Sequence, residues 1–96
     1  MVDELPRPRG VVYVIDDDNH VRSSLVNLFE SVELQAHAFG STAEFLAFSR
    51  PDAPQCLVLD VRLPGRSGLD FQSQLASASI GIPIIFITHM AIFPCL

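Results

Sequence analysis

Four short runs of strand-forming residues, separated by stretches with a helical period, constrain this chain more than any other feature. Val11–Ile15, Cys56–Leu59 and Ile84–Thr88 are apolar almost throughout and show no alternation with polar residues. Runs this short are poor core helices, and without a polar face each reads as a strand buried on both sides. Leu34–Phe39 is less apolar and reads as a strand nearer an edge. From Asn19 the pattern changes: Val21, Leu25, Leu28, Phe29 and Val32 fall on one face of a helix that Asp18 or Asn19 can cap. Ser41-Thr42-Ala43-Glu44 has the form of a capping box. The helix it opens, with Phe45, Leu46 and Phe48, is expected to stop near Arg50, because Pro51 and Pro54 follow. Residues 64–68 read as a loop, Leu69 to about Ser79 as a third helix, and Gly81 and Pro83 as breakers before the fourth strand. Alternating strands and helices of this kind predict one α/β domain, a parallel sheet covered on both faces with right-handed crossovers.

All strands of such a sheet end on one edge, and sites in open parallel sheets form there. Asp16 and Asp17 end the first strand, Asp60 the third and Thr88 the fourth. Three converging carboxylates suit a hard divalent cation such as Mg²⁺, which accepts a few carboxylates, a carbonyl and waters. A cation there could neutralise a phosphoryl group carried by one of the aspartates. Strand-end aspartates also serve as solvated helix caps, and that is the preferred reading of Asp18.

Charge and motif content remove several alternatives. The net charge is −5, all six Lys+Arg residues are arginines, and no lysine occurs; an acidic chain with scattered arginines is a poor nucleic-acid binder. Cys56 and Cys95 lack metal-ligand spacing and read as reduced thiols. The N-terminal segment is polar and proline-bearing, not a secretory signal. Residues 80–96 are apolar but too short for a comfortable membrane span, and they carry Pro83, His89 and Pro94. A cytoplasmic domain is therefore expected. Gly65-Arg66-Ser67-Gly68 is not followed by the Lys-Ser/Thr of a P-loop. Three dispersed histidines make no metal cluster, and Arg62 stands where a haloacid-type phosphatase would need a second aspartate.

Val14-Ile15-Asp16-Asp17-Asp18, Leu57-Val58-Leu59-Asp60-Val61-Arg62-Leu63-Pro64-Gly65-Arg66-Ser67-Gly68 and Ile82-Pro83-Ile84-Ile85-Phe86-Ile87-Thr88 together resemble a response-regulator receiver domain, of the FixJ/NarL-type two-component transcription regulators. The resemblance implies a flavodoxin-like (CheY-like) doubly wound sheet with strand order 2-1-3-4 over residues 11–88, preceded by a lead-in over residues 1–10. It implies that Asp60 accepts a phosphoryl group from a sensor histidine kinase. Mg²⁺ would be held by Asp16, Asp17, Asp60 and the backbone carbonyl of Arg62. Thr88 matches the switch hydroxyl, and Pro64, Gly65 and Gly68 match the loop at the pocket rim. Such a domain is a phosphoacceptor in signalling rather than a turnover enzyme.

The chain departs from the family pattern after Thr88. The family's fifth strand, last two helices and phosphate-pairing lysine find no counterpart. Residues 89–96 are expected to be an aberrant tail, the out-of-frame reading of a receiver's coding sequence after Thr88. On that expectation the fourth strand becomes an exposed apolar edge prone to self-association, and phosphorylation is impaired. The competing readings are an interaction fragment that binds without phosphotransfer and a non-functional gene product.

Overall fold

The computed structural model describes residues 10–63, 66–87 and 92–95. Strand β1 (Val11–Ile15) leads into helix α1 (Asn19–Ser31), β2 (Gln35–Phe39), α2 (Thr42–Ala47) and β3 (Gln55–Asp60). A two-residue ladder of β4 (Arg62–Leu63) with β5 (Arg66–Ser67) precedes α3 (Gly68–Ser77), β6 (Ile84–Ile87) and β7 (Ile92–Cys95). The main sheet has the order β2-β1-β3-β6-β7. Its first four strands are parallel and reproduce the expected 2-1-3-4 order, with β6 as the fourth of the sequence-predicted strands.

Burial follows the pleat. Val11, Tyr13, Ile15, Leu57, Leu59, Ile84 and Phe86 face one side, where Phe45 of α2 and Phe71 and Leu75 of α3 complete the core. Val12, Val14, Val58 and Ile87 face the other side, against Val21, Leu25 and Phe29 of α1. β1 is buried at all five positions, as expected for a central parallel strand with helices on both faces. The α2 side is rich in aromatic contacts: Tyr13 meets Phe45 edge-on at 5.4 Å between centroids and stacks on His37 at 6.0 Å. Burial pushes the Tyr13 phenol up, with Arg50 opposing. No described helix is long and apolar enough to cross a membrane.

The structure corrects several expectations. α2 ends at Ala47, short of Arg50, because Phe48 is already extended (φ −77°, ψ 134°) on the approach to Pro51. α3 starts at Gly68, and the described part of the expected loop over 64–68 pairs as a ladder with Arg62–Leu63. On α1 the apolar stripe is only half used: Val21, Leu25 and Phe29 rest on the sheet, whereas Leu28 and Val32 are 57% and 61% exposed.

The fourth parallel strand is not a free edge. β7 pairs antiparallel with β6, in the register Ile84↔Cys95 to Ile87↔Ile92. Unpaired backbone groups along an apolar strand are costly, and this segment satisfies them. Its direction follows from length: only residues 88–91 separate the two strands, whereas a parallel return needs a crossover of about a dozen residues or more. β2 and β7 are thus the outer strands, and β7 carries Pro94, which has no N–H to donate.

Candidate functional site

The register of the two central strands builds the site. Ile15 pairs with Leu59, so the residue after each, Asp16 and Asp60, comes to the same edge of the sheet. Asp16 is 2% exposed and Asp60 4%, the two buried charged residues of the described core, while Asp17 is exposed. Oxygens from Asp16, Asp17 and Asp60 all lie within 4.8 Å of one another. The Asp18 N–H donates to Asp16 Oδ1 at 2.8 Å and so orients that carboxylate. Asp18 itself caps α1, accepting from the N–H groups of His20 (2.8 Å) and Val21 (3.3 Å). Asp18 is thus the helix cap expected from the sequence.

Burial raises the Asp16 carboxyl above the ordinary carboxylate value, and the Asp18 N–H opposes it. The charges of Asp60, Asp17 and Asp18 push it further up. A buried carboxylate facing two others is unfavourable by itself and favourable around a cation. The donor set fits Mg²⁺: it is all oxygen, its span suits one ion with metal–oxygen distances of about 2.1 Å, and exposed Asp17 leaves a side open to water.

Asp60 ends β3 opposite Ile87, and the Val61 N–H donates to the Ile87 carbonyl at 3.1 Å. Gly68 closes over this corner. Its N–H donates to the Val61 carbonyl at 2.7 Å, and a Cβ there would lie 2.8 Å from the Asp60 carbonyl oxygen and 3.1 Å from Val61 Cα. No side chain fits against that backbone without moving it. Gly68→Ala is expected to destabilise the fold by about 1–3 kcal/mol, as overpacking does. Gly81→Ala, with nothing within 4 Å of its Cβ position, should stay within about 0.5 kcal/mol. Urea unfolding of both variants checks this, and equal stabilities would contradict the close approach.

Of the other sequence-predicted residues, Arg62 opens β4 two positions beyond Asp60, while Pro64, Gly65 and Thr88 lie outside the described residues. One contact went unread in the sequence. Arg22 Nη1 donates to the Asp16 backbone carbonyl at 2.7 Å, and Nη2 to Asn19 Oδ1 at 3.3 Å. Its signal was slight: Arg22 is the single cation between Arg9 and Arg50, one turn beyond an acidic run.

A parallel sheet with helices on both faces and a carboxylate triad at its C-terminal edge defines a flavodoxin-like domain with an acidic pocket. The profile of the response regulator receiver domain matches residues 12–92, and the chain belongs to this family. It is the receiver domain of a two-component response regulator, a signalling domain. Nodulation protein W of Bradyrhizobium diazoefficiens is 58% identical over 80 residues, covering 83% of this chain and 35% of that protein. Response regulator protein TodT of Pseudomonas putida is 46% identical, covering 82% of this chain and 35% of its own length. The chain thus spans about a third of the length of the curated relatives it matches. Among solved structures, response regulator StyR superposes with a TM-score of 0.77 at 43% identity, over 92% of this chain and 44% of that one. The FixJ N-terminal domain gives 0.71 at 35% identity, over 81% and 62%.

Proposed function

We propose that Asp60 is the phosphoacceptor, receiving a phosphoryl group from a phosphohistidine of a sensor histidine kinase, with Mg²⁺ held by Asp16, Asp17, Asp60 and the Arg62 backbone carbonyl. The observation that carries this reading is the convergence of three carboxylates within 4.8 Å at the strand ends. A carboxylate oxygen of Asp60 forms the new O–P bond as the donor's P–N bond breaks and the imidazole nitrogen keeps the electron pair. Asp60 is a weak nucleophile, so placement in line with the leaving group matters, and its fixed backbone between Ile87 and Gly68 supports that. Bound Mg²⁺ supplies the positive charge that lets an anionic donor approach three carboxylates. Thr88 is the switch hydroxyl that reads the modified state, and Pro64, Gly65 and Gly68 shape the rim. The domain acts in the cytoplasm, where it meets its kinase, and carries a signal rather than turning over substrate.

The test is direct. Incubated with acetyl phosphate and Mg²⁺, the chain should gain the mass of one phosphoryl group, as an acyl phosphate that hydroxylamine removes. A chelator should prevent the gain. Absence of any adduct in protein shown to be folded and cation-bound would overturn the assignment.

A further inference from the structure

The acidic site is held from behind by a cation that bonds to the main chain of Asp16. We propose that Arg22 is a positioning residue for the cation site, fixing Asp16 through its main-chain carbonyl rather than through its carboxylate. The inference rests on the reading of Asp16, Asp17 and Asp60 as metal ligands.

Four observations support it. The guanidinium donates to the Asp16 carbonyl at 2.7 Å, a short, charge-assisted bond on the peptide that joins the two acidic residues. The same group reaches Asn19 Oδ1 at 3.3 Å, which ties it to the first turn of α1. It also passes beside Gly40, where a Cβ would lie 3.4 Å from Nη1, so the turn after β2 leaves room for the guanidinium. Arg22 is half-buried and its own N–H is held by the Asp18 carbonyl at 3.0 Å, so the side chain starts from a fixed helical position.

The geometry divides the control of Asp16 between two groups. The Asp18 N–H orients the carboxylate, and Arg22 fixes the peptide from which that carboxylate and the Asp17 side chain project. Loss of the guanidinium frees the β1–α1 turn to rotate, and both ligands lose their shared placement. Groups that orient metal ligands without touching the metal commonly set affinity by about 10- to 100-fold. A lysine in this position has one ammonium for two acceptors and lacks the planar fork.

The experiment is Mn²⁺ binding to the full chain, followed by electron paramagnetic resonance of free Mn²⁺ well below the unfolding temperature. Asp16→Asn sets the reference for a damaged site. Arg22→Met is expected to weaken Mn²⁺ by about 10- to 100-fold, and Arg22→Lys to restore part of that loss. A merely structural role would lower the unfolding temperature and leave the dissociation constant of the folded protein unchanged, which would overturn the proposal. Should Arg22→Met fail to fold, Arg22→Gln decides on the same terms. If the wild-type chain binds no Mn²⁺, or Asp16→Asn binds as well as wild type, the metal-site reading itself fails. Unchanged affinity in Arg22→Met beside a clear loss in Asp16→Asn refutes the role of Arg22 alone.

Discussion

Asp60→Asn is expected to leave no phosphoryl adduct at all and, in metal-free buffer, to unfold less readily than the wild-type chain. The first effect follows from the proposal that Asp60 is the nucleophile, since an amide oxygen cannot form a stable acyl phosphate. The second follows from the cluster. With oxygens within 4.8 Å, three carboxylates repel one another when no cation lies among them. Neutralising one relieves about 1–2 kcal/mol at an effective dielectric between that of protein and water. Asparagine keeps one side-chain oxygen as an acceptor, so the exchange is close to isosteric.

The pH dependence carries the same sign. Burial, then the charges of Asp60, Asp17 and Asp18 against the opposing Asp18 N–H, raise the Asp16 carboxyl in the folded protein. A raised folded value means that Asp16 takes up a proton more readily folded than unfolded. Its contribution to stability is full below the ordinary carboxylate value of about 4 and is lost as pH rises through the higher folded value. Asp60→Asn removes one of the raising charges, so metal-free stability should fall less between about pH 4 and pH 7 than in wild type. Urea unfolding across that range measures both slopes. A steeper fall in the variant, or a variant less stable near neutrality, would contradict the electrostatic account.

The largest stability effect should come from Phe45→Ala. Phe45 is fully buried and is the sole buried residue of α2. Its ring meets Tyr13 at 5.4 Å, Phe39 at 5.8 Å and Phe71 at 6.1 Å, all edge-on, and the Arg50 guanidinium lies over it at 5.1 Å. A six-residue helix is too short to hold itself together, so this side chain is what attaches α2 to the sheet. Truncation to alanine removes the ring from the aromatic layer and should cost about 3–5 kcal/mol, a large share of the stability of a domain this small. Leu46→Ala on the same helix, 37% exposed, is the control and should cost much less. Denaturant midpoints followed by circular dichroism separate the two. Equal effects would mean that α2 is held by something other than Phe45.

The sheet and the acidic triad were legible because they are written locally. A continuous apolar run announces a buried parallel strand, and a charge at its end has one place to go. Asp16, Asp17 and Asp60 needed only the strand order to be brought together. Two features were hidden for a physical reason. The exposure of Leu28 and Val32 depends on how much of α1 the sheet covers, which the helical period of α1 does not encode. The direction of β7 depends on the length of a connection, and Ile92-Phe93-Pro94-Cys95 has no pattern that tells an antiparallel partner from an irregular tail. Arg22 is a third case, since its two acceptors lie on its N-terminal side and meet it only once the β1–α1 turn has formed.

The pairing of Ile15 with Leu59 also has a kinetic meaning. β1 and β2 are joined by one helix and can meet early, whereas β3 arrives only after a second helix has been threaded past the sheet. Asp60 approaches Asp16 at that later, non-local event, so the mutual repulsion of the site opposes docking of β3 and leaves the β1-α1-β2 unit untouched. A divalent cation present during refolding would lower that late barrier, if the carboxylates are already close at the transition state, and would otherwise act only by slowing the escape of β3 once it is seated. Refolding rates with and without a divalent cation would therefore report when the three carboxylates come together.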